Sequence, residues 1–142
     1  MGRERIILTG REETIHFGAH FASKLSANSV LALQGDLGAG KTTFVQGLLN
    51  GLTIKDIAQS PTFTYLQIYE GSIYHFDLYR LKTERDFLLL GFDEFLFAGG
   101  ITVIEWPERI PSLLPPETPL IHLWHHEQNR LAEITTWGQR AI

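Results

Sequence analysis

The chain contains no cysteine, which excludes a disulfide framework and any thiolate-ligated metal site. That absence agrees with a reducing compartment. No stretch approaches the ~20 consecutive apolar residues of a membrane-spanning helix. The opening MGRERIILTG has neither a long apolar h-region nor a cleavage signal. Together these features predict a soluble, cytoplasmic protein. Positive charge is also scarce: 12 Lys and Arg against 16 Asp and Glu leave a formal charge of -4. A broad electrostatic grip on nucleic acid needs a basic surface, so a role in a nucleic-acid pathway would run through partners. Repeats, low-complexity tracts and linkers are missing as well. What remains is ordinary globular composition, 44% hydrophobic and 20% charged over 142 residues. That is enough for a single domain, 1–142, which buries roughly two thirds of its unfolded surface without staples.

Residues 6–8 read as a short first strand. Residues 14–25 read as a helix, with Thr14 as its cap and Ile15, Ala19, Ala22 and Leu25 near one face. The run 29-SVLALQ-34 is a buried-strand signal, and 41-KTTFVQGLLNGL-52 fits a helix that Gly51 helps to end. The segments 63-FTYLQIYE-70 and 72-SIYHFDLY-79 flank Gly71 as two strands joined by a tight turn. Residues 83–97 form one or two short helices broken at Gly91. The apolar strand 101-ITVIEW-106 follows, stopped by Pro107, and 107–115 is a helical turn with prolines. The segments 119–126 and 131–137 make a closing hairpin around Glu127–Arg130. Strands and helices are mixed behind a βα start, which predicts an α/β layer fold with a mixed sheet.

The densest chemical signal is 35-GDLGAGKTTF-44. Gly35, Gly40, Lys41 and Thr42 satisfy G-x-x-x-x-G-K-[ST], and the loop follows a buried strand and opens a helix, the context this phosphate-binding motif requires. The glycines permit backbone angles that side chains forbid and let amide N–H groups approach phosphate oxygens. The helix start contributes the positive end of its dipole. Lys41 can reach the β and γ phosphates, and the Thr42 hydroxyl can ligate Mg²⁺. The cradle as a whole comprises Gly35, Asp36, Leu37, Gly38, Ala39, Gly40, Lys41, Thr42 and Thr43.

Nucleotide hydrolysis also needs an acid at the C-terminal edge of a neighbouring strand, to hold Mg²⁺ directly or through water. Glu105, at the end of ITVIE, fits that place; a solvent-facing strand end is the plainer alternative. Asp77, within the aromatic run YHFD, is costly to bury unless paired or near metal. It fits a water-positioning or metal-binding role, and equally a salt bridge to Arg80 or a turn cap. In 60-SPTF-63, Pro61 stiffens the chain, and Thr62 can offer a hydroxyl to the γ-phosphate and metal as switch threonines do; a simple turn is the alternative. His75, His122, His125 and His126 raise a zinc reading, but no cysteine or matching acid motif supports it. Trp106 adjoins Glu105, beside the nucleotide site or in the core.

GDLGAGKTT, SPTF, YHFDLYRL, LGFDEFL and IEWPER occur in this order within about 75 residues. Together they resemble the TsaE (YjeE) family, the ATPase of bacterial tRNA threonylcarbamoyladenosine biosynthesis, over nearly the whole chain. HFDLYR and IEWPER carry more of the resemblance than the glycine loop does. It implies a small P-loop NTPase fold with three layers and a mixed central sheet, and binding of ATP and Mg²⁺. Lys41 and Thr42 match the loop, Glu105 the metal-binding glutamate, Asp77 the HxDxYR aspartate and Thr62 the SPT threonine. It also implies two partners, TsaB and TsaD, which install a threonylcarbamoyl group on the adenosine next to the anticodon. The ATPase acts as a switch or reset for that assembly and is weak without it. Residues 11–14 would lie where family members approach the adenine, and Arg130 corresponds to a C-terminal arginine near the nucleotide. Arg11 departs from an acid-leaning site there, and 53-TIKDIAQ-59 lacks the glycine and valine that often precede SPTF.

Two other functions share the loop. A small-molecule kinase needs a lid carrying arginines over the phosphates, whereas Arg80, Arg85 and Arg109 are scattered. A guanine-dependent switch commonly carries N-K-x-D after a strand, and 53-TIKD-56 has neither that order nor that context.

Overall fold

The computed structural model of the chain describes residues 3–36, 40–61 and 64–140. Seven strands form one sheet: β1 (Glu4–Leu8), β2 (Val30–Gln34), β3 (Leu66–Tyr69), β4 (Ile73–Asp77), β5 (Ile101–Glu105), β6 (Pro119–His126) and β7 (Asn129–Thr136). Their spatial order is β1-β7-β6-β2-β5-β4-β3. The centre is parallel, β2 running between β6 and β5, with β4 beyond β5. The margins are antiparallel: β1 and β6 both pair with β7, and β3 pairs with β4. The sheet is therefore mixed, as expected. Among the described residues no helix is long and apolar enough to cross a membrane.

The central strands are nearly continuous apolar runs because both faces are covered. Alternate residues point to opposite faces, and the two cores divide by that parity. Leu31, Leu33, Val103, Ile121 and Leu123 face one way, against α1 (Arg11–Ala22) and α2 (Lys41–Gly51). Ala32, Phe76, Ile104 and Leu120 face the other way. There they meet Phe87 of the short helix α3 (Glu84–Leu89), Leu96 of a 3₁₀ turn (Phe92–Phe97), and Trp137. This makes three layers. Gly91, in the left-handed conformation at φ 75°, separates α3 from that turn, where the break was expected.

The first helix differs from expectation. It begins at Arg11, not Thr14. Glu13 reaches back to accept hydrogen bonds from the Thr9 amide and hydroxyl, which ties down the helix start from inside its first turn. Thr14 is buried, its hydroxyl donating to the Gly10 carbonyl at 3.2 Å. The buried stripe is Thr14, Phe17, Gly18, Phe21 and Ala22, which keeps Ala22 of the expected Ile15, Ala19, Ala22 and Leu25 face but is rotated from the rest of it. Gly18 sets that rotation. A Cβ there would overlap the Phe44 carbonyl oxygen, and one on Gly47 would overlap the Ile15 carbonyl oxygen. The two helices thus cross backbone to backbone, flanked by Phe17 and Phe44 with ring centroids 5.4 Å apart. The third strand is also shorter than expected, starting at Leu66. Tyr65 sits at φ 65°, and its carbonyl accepts from the Asp77 amide at 2.9 Å.

Candidate functional site

At the C-terminal end of the parallel strands, β2 hands over to α2 while its two neighbours, β5 and β6, diverge to either side. Open α/β sheets carry their ligand sites in such a crevice. A cleft of about 260 Å³ lies there, lined by Gln34, Gly35, Asp36, Lys41, Trp106, Glu108 and His122. Gly40, the residue before α2, is left-handed at φ 99°. The backbone angle favours glycine, and the Arg130 side chain lies over it, its Nη1 2.9 Å from where a Cβ would stand. Arg130 comes from β7, and among the described residues its buried Nη1 has no hydrogen-bond partner.

Lys41 opens α2, and its Nζ lies 3.3 Å from Glu105 Oε1. Glu105 ends β5 and is only 3% exposed. Its other oxygen, Oε2, is 2.5 Å from His75 Nε2. Burial alone pushes the Glu105 carboxyl up. Hydrogen bonding and charge from His75, with the Lys41 ammonium behind them, outweigh that and hold it below the ordinary carboxylate value of 4.5. The carboxylate is therefore ionised at neutral pH although the site is nearly closed to water. Trp106 follows at φ 59°, a left-handed angle that costs a bulky residue about 1–3 kcal/mol. This turn sets its ring 5.5 Å from the Lys41 ammonium. Tyr79 packs against Trp106 with ring centroids 4.9 Å apart, and the Arg109 guanidinium lies 5.8 Å from the indole and 6.0 Å from the Tyr79 ring.

Asp77 is the parallel-strand neighbour of Glu105, so two carboxylates stand side by side at adjacent strand ends. Asp77 Oδ1 accepts from the Tyr79 amide at 3.0 Å, the turn-cap geometry that was one of its expected readings. Thr42 is exposed in the first turn of α2, and Thr43 beside it is half-buried. Gly35, Asp36, Gly40, Lys41, Asp77, Glu105 and Arg130 thus gather around one end of the sheet. Leu37, Gly38, Ala39 and Thr62 lie outside the described residues. Among the described residues no three His, Asp or Glu side chains group so as to hold a metal ion. Of the histidines, His75 lies against Glu105, and His122 packs against Trp124 with ring centroids 4.8 Å apart.

The sequence reading treated His75 only as a metal candidate and passed over Tyr69 altogether. The available signal was parity: Ile73, His75 and Asp77 share one face of β4, and parallel pairing with β5 puts Glu105 on that face too.

Comparison with known proteins gives the chain's family and fold. The family profile described as "Threonylcarbamoyl adenosine biosynthesis protein TsaE" matches residues 8–133. The chain is 43% identical over 121 residues to the "tRNA threonylcarbamoyladenosine biosynthesis protein TsaE" of Treponema pallidum, covering 84% of this chain and 90% of that one. It is 42% identical over 140 residues to the protein of the same description from a Nostoc species, covering 94% and 86%. Among solved structures it superposes on "Crystal structure of Bacillus subtilus YdiB" with a TM-score of 0.80 at 31% identity, covering 98% of this chain and 88% of that chain.

Proposed function

The chain belongs to the TsaE family of tRNA threonylcarbamoyladenosine biosynthesis proteins, and we propose that within that pathway it is a magnesium-dependent ATPase stimulated by its partners. The observation that carries this reading is the contact between Lys41 at the head of α2 and Glu105 at the tip of β5, with Asp77 on the adjoining strand. A lysine, a helix N-terminus and two hard carboxylates at one strand edge are the parts phosphoryl transfer needs for positioning and charge stabilisation.

In this reading residues 1–142 form one P-loop ATPase domain in the cytoplasm. The backbone from Gly35 to Thr43 cradles the triphosphate, with Lys41 on the terminal phosphates. The unpartnered Nη1 of Arg130 adds a donor over Gly40. The Thr42 hydroxyl, Glu105 and Asp77, directly or through water, are the oxygen donors for Mg²⁺. So small a protein set suits this ion, which is usually held by one or two carboxylates together with phosphate oxygens and water. Held by these donors, the ion would supply neutralisation of the developing phosphate charge. Asp77 orients the attacking water, and Thr62 completes the γ-phosphate side. The partners are proteins like TsaB and TsaD, and tRNA is reached through that complex, in keeping with the net charge of -4. Hydrolysis serves as a switch or reset of the assembly, and the threonylcarbamoyl bond is made elsewhere.

The test is ATP turnover by the purified chain, alone and with the partner pair and tRNA. Slow turnover alone that rises on adding the partners is the expected result. An unchanged rate would refute partner stimulation, and phosphorylation of a metabolite with negligible hydrolysis would favour a kinase.

A further inference from the structure

We propose that His75 is a positioning residue for the Glu105 carboxylate, and that Tyr69 carries the same constraint to the backbone at Gln59, three residues ahead of Thr62. The inference rests on the reading of Glu105 as a metal-site carboxylate.

His75 is 0% exposed in the middle of β4. A buried imidazole must have its ring nitrogens satisfied, and both are. Nε2 is 2.5 Å from Glu105 Oε2, and Nδ1 is 3.3 Å from the Tyr69 hydroxyl. An ionised carboxylate only accepts, so the Nε2–H donates to it. The Tyr69 hydroxyl in turn accepts from the Gln59 amide at 2.9 Å, and the Gln59 carbonyl lies within its donating reach at 3.1 Å. The Nε2–H donates to Glu105 in either charge state of the ring: with a neutral ring the donors run from Gln59 N–H to Tyr69, Tyr69 O–H to His75 and His75 N–H to Glu105, and with a charged ring Nδ1–H donates to Tyr69 and the Tyr69 O–H to the Gln59 carbonyl. Bonds aligned in this way polarise and strengthen one another. The neighbouring Ala58 amide donates to Gln46 Oε1 of α2 at 2.8 Å, so the segment leading to Thr62 is tied to the helix as well as to the relay.

The two oxygens of Glu105 have different fates. Oε1 faces Lys41, whose ammonium is drawn away when phosphate enters the loop. Oε2 stays with His75, which has no room to move. Exchange of the first partner therefore exposes one oxygen without releasing the carboxylate from its orientation. Outer partners of this kind decide metal affinity by holding the ligand in place.

The experiment measures the Mg²⁺ midpoint for complex formation with a non-hydrolysable ATP analogue, and analogue affinity in EDTA, for wild type, His75→Ala, His75→Gln, Tyr69→Phe and Glu105→Gln. His75→Ala should raise the midpoint by about 10-fold or more while affinity in EDTA stays near wild type. His75→Gln, whose amide can still donate to Glu105, should recover most of that loss. Tyr69→Phe should give a smaller rise and faster amide exchange at Ala58 and Gln59. A wild-type midpoint in His75→Ala, or equal rises in His75→Ala and His75→Gln, would overturn the proposal. Should His75→Ala fail to fold, a wild-type midpoint and wild-type exchange in Tyr69→Phe overturn it instead. A wild-type midpoint in Glu105→Gln is a different failure: it removes the metal reading of Glu105 and takes this inference with it, whereas a shifted Glu105→Gln with unshifted His75 variants removes this inference alone.

Discussion

Replacing Glu105 by Gln should tighten ATP binding when magnesium is withheld, although the same change removes a proposed metal ligand. Lys41 is engaged by Glu105 at 3.3 Å, so a phosphate that takes the ammonium has to compete with the carboxylate. At an effective dielectric of about 20 the attraction at that distance is about 5 kcal/mol, before desolvation is charged against it. Charge-assisted hydrogen bonds contribute a net of roughly 1.5–3 kcal/mol. Glutamine keeps an acceptor oxygen for Lys41, so about 1–2 kcal/mol of the competition should disappear, equivalent to about 5- to 30-fold tighter binding. Removing a negative charge from beside the phosphates acts in the same direction. The assay is calorimetric titration of ATP into wild type and Glu105→Gln in EDTA, with Trp106 fluorescence as a second signal because the indole lies 5.5 Å from Lys41. With Mg²⁺ present the order should reverse. Equal or weaker binding by Glu105→Gln in EDTA would refute the competition between Glu105 and phosphate for Lys41.

Lys41→Ala should weaken ATP binding by about 100-fold or more, since it removes the one charge-assisted donor shared by Glu105 and the phosphates; unchanged affinity in the same titration would count against the loop. Asp77→Asn keeps an acceptor for the Tyr79 amide, so the fold should survive while single-turnover hydrolysis falls by about 10²-fold or more with ATP affinity retained. Equal turnover would leave Asp77 as a turn cap. Gly18→Ala drives a methyl group into the Phe44 carbonyl and should cost about 1–3 kcal/mol of stability by urea unfolding, as overpacking does. The Glu105 carboxyl is lowered in the fold against the upward push of burial, so its stabilisation is complete above the unfolded value and is lost as pH falls through the lowered folded-state pKa. The stability difference between wild type and Glu105→Gln should accordingly shrink on acidification below about pH 4.5, measured by urea unfolding at a series of pH values.

The strand before the glycine-rich segment, the helix after it and the acid closing ITVIE were legible because each is a local pattern: an apolar run, a periodic run, a polar residue at a run's end. The failures have physical reasons too. Thr14 looks like a cap by residue type, but the cap is made by Glu13 reaching back to Thr9, and nothing in the pattern ranks the two. The buried face of α1 follows from two glycines on different helices meeting at a crossing, which no single-helix period reveals. Tyr65 delays the start of the extended run through a positive φ in a residue that ordinarily favours strands. His75 could be recognised as a partner of Glu105 only once β4 and β5 were known to lie side by side in register. Arg130 over Gly40 joins residues ninety positions apart in sequence, and only the family resemblance pointed to it.

That last contact has a consequence for how the protein comes into being. Synthesis delivers β2, the glycine loop and α2 early, but the strands on either side of β2 are β5 and β6, and the arginine pressing on Gly40 follows on β7. A nascent chain holding the whole motif still lacks the walls of its cradle. Topologies closed by such distant segments reach their native contacts late, and exposed strand edges invite aggregation meanwhile. An interrupted translation product therefore holds the glycine-rich segment without the strands and the arginine that flank it in the finished fold.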